Sequence, residues 1–595
     1  MPRWDLAVLY PALESPEFAA GFADVVDRIA ALGDLFDAEG VGAGPPQPLD
    51  EALVARFDRI VVALNATLEA VAVMTAYLSG LVTTDSRDET AQARFSELHE
   101  RGVSLTKLMV RWDAWVGRLD VSGLIARSPV AAAHGFALRK AQIAARHQMP
   151  AAEEALAAEL GPAGGTAWSK LYDNVTSQLL VELEVDGERR RLPMSEVRNL
   201  AMSPRRDVRQ RAYRAELAAW SDWATPLAAA LNGVKGQTVV LSQRRGWVEP
   251  LDAALFVNNV DRSTLEAMIA AARDAFPDLR RYLKAKAAAL GLPALAWWDL
   301  FAPVGEGGRS WEWDAAVAFL DDRFGAFSVR LRDLLRRAVA ERWIDAGPRP
   351  GKTGGAYCMR LRDGESRILH NFTPGYDGVS TLAHELGHAY HNLNETGLAP
   401  LQRETPMTLA ETASTFCETI VREAALADAD RAGQRFILEQ SLQGSCQIVV
   451  DIVSRFDFER AVFAKRRERE VTVSELCALM ERAQTETYGD GLDPATYHQF
   501  MWAAKGHYYI DNYAFYNFPY LFGLLFGLGL YARYRADPTG FQTAYDALLA
   551  STGQSDAADL AARWGIDLRD KAFWESSLDV IRADVDRFVA LVGEG

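Results

Sequence analysis

Four of the nine histidines lie between His370 and His391, and two of them belong to the run His384-Glu385-Leu386-Gly387-His388. On a helix, this H-E-x-x-H pattern places two imidazoles one turn apart on the same face, so both can bind one metal ion. The carboxylate of Glu385 is offset by about 100°, which leaves it beside a water on that ion rather than in the coordination shell. The pattern therefore predicts a metal site with a general base next to it.

A catalytic zinc site usually has three protein ligands and one open position, and the next predicted helix can supply the third ligand. This helix is predicted to begin at Thr405-Pro406, and it carries a polar stripe formed by Glu411, Thr415, Glu418 and Arg422. The chain between His388 and Glu411 is long enough for a turn and an antiparallel return. Glu411 is therefore the candidate third ligand. Glu418, two turns further along, and His391 are candidates to orient a ligand histidine from outside the coordination shell.

The elements that position these residues are predicted to be mostly helical. An apolar stripe along the H-E-x-x-H segment includes Val379, Leu382 and Leu386, and Ser380 or Thr381 is predicted to cap its start. Apolar residues at three- and four-residue spacing predict further helices over 15–36, 50–80, 86–117, 204–245, 262–290, 312–344 and 430–465. The pair Ser203-Pro204 is predicted to start one of them.

Two short hairpins are predicted between the helices. They surround Asp186-Gly187, over 179–192, and Asp363-Gly364, over 357–372. A domain boundary is predicted near residue 195, after the first hairpin. It divides the chain into an N-terminal helical lobe, 1–195, and a catalytic lobe, 196–595.

Composition limits the class of protein. The 595 residues are 49% hydrophobic with a formal net charge of −16, which argues against nucleic acid or an anionic membrane surface as the main partner. The four cysteines contain no C-x-x-C pair and are too few for a disulfide framework. The N-terminal residues lack the pattern of a signal peptide. Together these features predict a cytoplasmic protein.

One uncharged stretch, 512–532, is long enough to span a bilayer. In a membrane, Gly523 and Gly527 could form a helix contact face. The stretch also contains Asn, Pro and several Tyr residues, which favour a buried core helix, and no membrane partner is expected.

Several segments together resemble a known family. They are the H-E-L-G-H helix over 381–391, the A-E-T-A-S-T-F-C-E helix over 410–418, the aromatic run over 507–523, the loop 351–358 and the opening Trp4-Asp5-Leu6. In this combination the sequence resembles the thimet oligopeptidase and oligoendopeptidase F group of zinc metallopeptidases. The resemblance extends over nearly the whole chain, and the pair of helices is its most specific part.

The resemblance implies a mainly α, two-lobed, clam-like fold with a small β-sheet beside the active-site helix and a deep substrate channel. It implies one Zn²⁺ per chain with Glu411 as the third ligand. It also implies that His507, Tyr516 and Tyr520, and less directly Tyr513, hydrogen-bond the substrate carbonyl and its oxyanion; which tyrosine acts stays open. The strand near Tyr357 would pair with the peptide backbone, and Gly354 and Gly355 would allow its close approach.

The function expected from the residues and the resemblance is zinc-dependent hydrolysis of internal bonds in short unstructured peptides, by a monomer or small homo-oligomer. A zinc carboxypeptidase is one alternative, and it would need an arginine such as Arg360 or Arg362 to bind the free C-terminal carboxylate. A non-catalytic peptide- or metal-binding protein is a second, although metal binding alone does not require Glu385. A membrane-embedded zinc protease is a third, and it rests only on 512–532.

Overall fold

The computed structural model describes residues 1–305 and 310–593. Within these ranges the chain is mostly helical, as the apolar spacing predicts, with five short strands. The first part of the chain forms α1 (Pro16–Ala38), α2 (Glu51–Thr84), α3 (Glu89–Val116), α4 (Val121–Arg127), α5 (Pro129–Ala133), α6 (Gly135–Arg146), α7 (Ala151–Leu160) and α8 (Gly165–Gln178). The helices predicted over 15–36, 50–80 and 86–117 are confirmed to within a few residues.

Side-chain caps start the first helices where the sequence provides them. The hydroxyl of Ser15 accepts from the backbone N–H of Phe18 at 3.1 Å, and the carboxylate of Asp50 accepts from that of Leu53 at 2.8 Å. Along α1 the buried positions recur every three or four residues, at Phe18, Phe22, Val25, Ile29, Leu32 and Phe36. The caps set where each helix begins, and the apolar stripe sets which face is buried.

The first predicted hairpin is confirmed, and the helix start that follows it is corrected. Strands β1 (Leu180–Val185) and β2 (Glu188–Pro193) pair antiparallel around the predicted turn. They are followed by α9 (Met194–Asn199), α10 (Arg206–Arg244), α11 (Pro250–Val257), α12 (Arg262–Asp274) and α13 (Phe276–Ala289). Helix α10 begins at Arg206, two residues after the predicted Ser203-Pro204 start. The hydroxyl of Ser203 accepts from the N–H of Arg205 at 3.2 Å, in a turn before the helix.

Two long predicted helices are each divided in the structure. The span 262–290 forms α12 and α13, with Pro277 in the first turn of α13, a position that proline favours. The span 312–344 forms α14 (Trp313–Phe327) and α15 (Val329–Ala340). Ser328 separates them, and its hydroxyl caps α15 by accepting from the N–H of Leu331 at 3.2 Å. Apolar periodicity alone does not reveal such interruptions, because the three- and four-residue spacing of apolar residues continues after each one.

The second predicted hairpin is confirmed and belongs to a three-stranded sheet. Strands β4 (Tyr357–Arg362) and β5 (Glu365–Leu369) pair antiparallel, and β3 (Ile344–Asp345) pairs parallel with β5. The strand order is β3-β5-β4, so β4 lies at the edge of the sheet. Sequence analysis missed β3, which has only two residues.

The rest of the chain is helical. It forms α16 (Tyr376–Asn394), α17 (Met407–Ala410), α18 (Thr412–Asp428), α19 (Arg431–Cys446), α20 (Ile452–Arg466), α21 (Val473–Tyr488), α22 (Met501–Ala504), α23 (Phe518–Ala536), α24 (Phe541–Leu549), α25 (Ala557–Ala562) and α26 (Lys571–Gly593). Between α19 and α20 the residues Gln447–Asp451 form one π-helical turn, so the predicted 430–465 helix is interrupted only by this change of helix type.

Apolar packing crosses the predicted domain boundary. One buried cluster combines Tyr172, Val181 and Val197 with residues of α10 and with Phe458, Trp502 and Tyr508 from the C-terminal part. Other clusters are more local, such as the one built mainly from α1, α2, α3 and α6. The division at residue 195 stays a prediction, because the core is continuous at that position.

Helix α23 is a core helix, as the composition of 512–532 favours. Most of its residues are buried, and it packs against α17, α18 and α26. In the described part of the chain, α2 is the one helix long and apolar enough to cross a membrane, with 39% of its most apolar window buried. Helix α2 packs against α1 and α3, and core helices meet the same length and composition criteria.

Candidate active site

Helix α16 carries His384, Glu385 and His388, as the H-E-x-x-H pattern predicts. The helix begins at Tyr376, with Gly375 as an N-cap that makes no side-chain hydrogen bond. The predicted caps Ser380 and Thr381 therefore lie inside the helix, because the regular structure begins a turn earlier than the apolar stripe. The predicted stripe itself is confirmed, since Val379, Leu382 and Leu386 are fully buried.

Glu411 lies at a break between two helices rather than within one. It ends α17 and begins α18, with φ −85° and ψ 3°, so the helix predicted over 405–418 is interrupted at this residue. Gly387 allows α16 and α18 to approach closely. A Cβ at Gly387 would lie 2.5 Å from the Cα of Ser414 and 2.6 Å from the carbonyl oxygen of Ala413. The glycine of the motif therefore sets the spacing between the two helices that carry the candidate ligands.

A third helix closes the site from the other side. On α23, a Cβ at Gly523 would lie 2.7 Å from the Cβ of Glu411, and one at Gly527 would lie 2.8 Å from the Cβ of Thr415. The G-x-x-x-G pair in 512–532 is thus a packing face against the Glu411 segment. It supports the position of Glu411 and gives no support to a membrane span.

The three candidate ligands converge. One donor atom from each of His384, His388 and Glu411 can be chosen so that all lie within 4.8 Å of one another. Oε2 of Glu411 is 3.2 Å from Nε2 of His384 and 3.5 Å from Nε2 of His388. Two imidazoles and one carboxylate on two helices form the donor set of a catalytic zinc site with an open position. The residues present therefore fit a zinc ion.

Residues around the ligands hold them in place. Nδ1 of His384 is 3.3 Å from Oε2 of Glu418, whose Oε1 accepts from the Ser380 hydroxyl at 3.2 Å. The hydroxyl of Ser414 donates to Oε2 of Glu411 at 2.9 Å. A carboxylate on the far nitrogen of a ligand histidine fixes the orientation of its ring. Sequence analysis named Glu418, but it gave Ser380 only a capping role and missed Ser414, although Ser414 lies three residues after Glu411 on the same helical face.

The pKa values of the ligand side chains reflect this crowding. For His384, burial opposes the charged form, but hydrogen bonds to Glu411 and Glu418 outweigh it and raise the pKa to about 10. Burial lowers the pKa of His388 to about 4. For Glu411, burial opposes ionisation, but the two histidines and Ser414 lower its pKa to about 2. In the absence of a metal cation, the proton on His384 supplies the positive charge that Glu411 requires.

Glu385 is isolated beside the ligands. The residue is 5% exposed, and its Oε2 has no hydrogen-bond partner in the described structure. Burial raises the pKa of Glu385 to about 7. The charge of His384 lowers this pKa by a smaller amount, and the charge of Glu411 raises it. A buried carboxylate whose oxygen is unpartnered and whose pKa is near neutrality is suited to accept and release a proton.

The predicted aromatic residues form a contiguous series that starts at the ligands. Tyr520 lines the same cavity of about 450 Å³ as His384 and Glu411. The hydroxyl of Tyr520 donates to that of Tyr516 at 3.4 Å, and the Tyr516 ring is 4.6 Å from the ring of His507.

Two asparagines support this series, and sequence analysis missed both. His507 lies on a short 3₁₀ helix, Gly506–Tyr509, and its Nδ1 is 2.8 Å from Oδ1 of Asn517. The hydroxyl of Tyr513 donates to Oδ1 of Asn258 at 3.1 Å. Asn517 lies inside the aromatic run that carries the resemblance, so its position offered a signal, whereas Asn258 is distant in sequence and offered none.

The predicted substrate-binding loop precedes the edge strand β4, and β4 packs against α16. A Cβ at Gly354 or Gly355 would meet no atom within 4 Å, so this backbone is open to an approaching chain. Gly355 also has φ +80°, which favours glycine. The amide of Asn371 donates to the carbonyl of Gly355 at 2.8 Å and holds the loop. The hydroxyl of Tyr357 is 2.6 Å from that of Thr83, so its polar end is bonded to α2.

Two other histidines have partners outside the ligand group. His391 is 5% exposed, and its Nε2 is 2.8 Å from the Thr552 hydroxyl and 3.9 Å from Glu395. Its predicted role of orienting a ligand histidine therefore has no direct contact to support it. Nε2 of His370 donates to the carbonyl of Gly378 at 3.0 Å and ties the end of β5 to the start of α16.

A helical fold in which an H-E-x-x-H helix faces a second helix with a candidate glutamate ligand is typical of metallopeptidases. Residues 325–580 match the family model described as Peptidase family M3, and residues 119–180 match the one described as Oligopeptidase F. The chain is therefore similar to peptidase family M3 in both matched segments. The predicted family and the mainly helical fold are confirmed.

Individual relatives agree with this assignment. The chain is 24% identical over 600 residues to the group B oligopeptidase PepB of Streptococcus agalactiae, covering 100% of this chain and 97% of the relative. It is 24% identical over 429 residues to an oligoendopeptidase F homolog of Lactococcus lactis, covering 72% and 71%. The crystal structure of oligoendopeptidase-F from Enterococcus faecium has a TM-score of 0.72 at 16% identity, covering 97% of this chain and 99% of that chain. The protein is therefore a peptidase of the oligopeptidase type.

Proposed function

We propose that this protein is a zinc-dependent endopeptidase that hydrolyses internal bonds of short, unstructured peptides. The observation that carries the proposal is the convergence of His384, His388 and Glu411 beside the unpartnered carboxylate of Glu385. A protein that only binds metal has no use for a buried, unpaired base at this position, because the desolvated carboxylate lowers stability without a compensating bond.

His384, His388 and Glu411 would hold one zinc ion. When bound, zinc polarises the scissile carbonyl and lowers the pKa of a water towards about 7. Glu385 accepts the proton of the attacking water and later delivers it to the leaving amine. The position of Glu385 on α16, one residue after a ligand, keeps its carboxylate close to the reacting atoms throughout.

The aromatic series would contact the substrate on the opposite side. Tyr520 lines the cavity of the ligands, and its hydroxyl donates to that of Tyr516. The hydroxyl of Tyr516 or of Tyr520 would donate to the substrate carbonyl. One such donor to a developing oxyanion is worth roughly 3–4 kcal/mol in other acyl-transfer sites. His507, next to Tyr516, would contact the substrate as well. Tyr513 and Tyr357 would act as walls, since their hydroxyls are bonded to Asn258 and Thr83.

The backbone of the peptide would pair with β4. This strand is at the sheet edge, so one side of its backbone is free of strand partners. Gly354 and Gly355 precede it and leave room for a second chain. Pairing by main-chain hydrogen bonds accepts many sequences but requires an extended segment, which fits unstructured peptides and excludes folded proteins.

A zinc carboxypeptidase receives less support. Nη2 of Arg360 is 2.7 Å from Glu395, and Nη2 of Arg362 is 2.5 Å from Glu365. Both arginines already form ion pairs within the chain, so binding of a C-terminal carboxylate would compete with one of these pairs.

We further propose a cytoplasmic monomer or small homo-oligomer with two lobes divided near residue 195. The four cysteines are unpaired, which supports a reducing compartment.

The test is cleavage of an internally quenched peptide that is blocked at both ends. The expected result is cleavage that is lost on chelation, returns on addition of zinc, and is absent in Glu385→Gln with its zinc content unchanged. Cleavage of only the peptide with a free C-terminus would favour the carboxypeptidase. Zinc binding without cleavage of any peptide would reduce the protein to a binder.

A further inference from the structure

His507 is held as one particular tautomer. Its Nδ1 is 2.8 Å from Oδ1 of Asn517. An amide oxygen accepts hydrogen bonds and never donates, so the hydrogen must be on Nδ1. In a neutral imidazole with hydrogen on Nδ1, the other nitrogen, Nε2, is an acceptor.

The orientation of the Asn517 amide determines this tautomer, and Arg455 determines the orientation. Nη1 of Arg455 donates to the same Oδ1 at 3.2 Å. A guanidinium has no acceptor, so a rotated amide would place its NH₂ group against a donor. Asn517 is 2% exposed, and its Nδ2 has no hydrogen-bond partner in the described structure. The Arg455 contact is therefore what selects the oxygen-inward orientation.

Arg455 is itself fixed by Asp451. Nη2 of Arg455 donates to Oδ2 of Asp451, and the side chains are 12% and 10% exposed. Asp451 is the last residue of the π-helical turn Gln447–Asp451, one helical turn before Arg455. A buried ion pair leaves the guanidinium few alternative positions. The series Asp451, Arg455, Asn517 and His507 is thus connected by hydrogen bonds at every step.

The other nitrogen of the His507 ring is unpaired, because no group in residues 1–305 and 310–593 is hydrogen-bonded to Nε2. Burial lowers the pKa of His507, and the positive charges of Arg455 and Lys505 lower it as well. The hydrogen bond to Asn517 raises the pKa but does not outweigh burial. The ring lies beside Tyr516, in the aromatic series that reaches the zinc ligands.

We propose that Asp451, Arg455 and Asn517 hold His507 with its hydrogen on Nδ1, so that Nε2 accepts a hydrogen bond from a backbone N–H of the peptide substrate. The three are positioning residues, and only His507 contacts the substrate. This differs from the donor role to the substrate carbonyl that the family resemblance implies. The peptide partner rests on the proposed function, whereas the tautomer does not.

The first experiment is NMR of the full-length protein labelled with ¹⁵N-histidine at pH 7.5, with His507 assigned by its absence in His507→Gln. We expect hydrogen on Nδ1 and a lone pair on Nε2 in the wild type. Asn517→Leu should move the hydrogen to Nε2, and Arg455→Lys, which retains a partner for Asp451, should give a mixture. Arg273→Lys is the matched control. Arg273 pairs with Asp457, which lies on α20 as Arg455 does, but Arg273 has no hydrogen bond to Asn517.

The second experiment uses peptides in which one flanking backbone N–H at a time is replaced by an ester oxygen. At one position we expect the ester to lower the kcat/KM of the wild type roughly tenfold. In Asn517→Leu the same ester should lower kcat/KM by no more than about twofold, because Nε2 of His507 no longer accepts a hydrogen bond in that variant.

Three results would overturn the proposal. They are hydrogen on Nε2 or on both nitrogens of wild-type His507, an unchanged tautomer in Asn517→Leu, or equal ester penalties in both proteins. If the wild type cleaves no peptide, the proposed function fails, while the NMR result still decides the tautomer.

Discussion

At the scale of residues, charge balance dominates the site. Glu411, Glu418 and Glu385 surround two histidines, and only His384 has a pKa raised into the range where it is positively charged at neutral pH. The cluster is therefore arranged for a cation, and a proton on His384 is its substitute in the metal-free protein. Removing one carboxylate changes both the number of ligands and this balance.

Glu411→Ala should lose metal. The change removes one of the three proposed ligands, and it also removes the carboxylate that both histidines face. We expect zinc to be lost on dialysis and activity to fall with it, whereas Glu418→Gln should weaken metal binding by about 10–100-fold. Metal content after dialysis measures this, with Glu481→Ala on an exposed part of α21 as a control. Full zinc occupancy in Glu411→Ala would place the third ligand elsewhere.

The pH dependence should have an acidic limb set by Glu385. Burial raises the pKa of this carboxyl to about 7, so it is protonated below that pH and cannot accept a proton from water. Activity should therefore be present above the pKa and fall about tenfold per pH unit below it. A bound cation favours the carboxylate and shifts the limb to lower pH. The profile of kcat/KM measures the limb, and a profile without an acidic limb at any pH at which the protein stays folded would contradict the assignment.

At the scale of elements, glycines control how closely the helices of the site pack. Gly387 lies against the backbone of α18, and Gly523 and Gly527 lie against the Glu411 segment and Thr415. The backbone of Ser414 and the Cβ atoms of Glu411 and Thr415 at these contacts cannot yield as the end of a flexible side chain can. The three helices that carry the ligands and the aromatic residues are therefore held at a separation that only glycine allows.

Gly387→Ala should destabilise the protein and disturb the metal site. Its Cβ would lie 2.5 Å from the Cα of Ser414, so α16 and α18 must separate. Overpacking of this kind costs about 1–3 kcal/mol. Gly33→Ala in α1 is the control, because a Cβ there meets nothing within 4 Å and alanine is the better helix former. Urea unfolding and zinc affinity measure both variants, and equal stability for the two would refute the packing argument.

At the scale of the whole molecule, buried ion pairs connect elements that are far apart in sequence. Nζ of Lys235 on α10 is 2.6 Å from Oε1 of Glu459 on α20, with side chains 1% and 2% exposed. Glu459 also accepts from the backbone N–H of Phe515 at 3.1 Å. The pair thus links α10 and α20 to the aromatic run that begins near His507.

Lys235→Met should be strongly destabilising. It leaves a buried carboxylate without its partner, which typically costs about 3–5 kcal/mol. The double variant Lys235→Met, Glu459→Leu should recover part of this, because no charge stays buried. Lys284→Met is the control, since its pair with Asp490 is exposed and worth at most about 1 kcal/mol. Denaturant unfolding gives all three values, and a loss in Lys235→Met no larger than the control would contradict the expectation.

The sequence alone determined the local features of this protein. The spacing of His384 and His388 follows from the 3.6-residue helical repeat, and the two hairpins follow from Asp-Gly turns, because both depend on neighbouring residues. Helix boundaries were predicted less well. Ser203, Ser380 and Thr381 are acceptable N-cap residues, but the helices begin elsewhere, since tertiary packing outweighs a preference of about 1 kcal/mol.

Only the tertiary structure decided which distant residues meet. The contacts of Ser414 with Glu411, of Asn517 with Arg455 and of Tyr513 with Asn258 depend on how helices pack, and no periodicity in the sequence encodes them. The break at Glu411 and the burial that isolates Glu385 arise in the same way. The sequence therefore identified the chemical groups of the site, whereas the packing of α16, α18 and α23 set their orientations and their protonation, because burial and partner distance are properties of the folded chain.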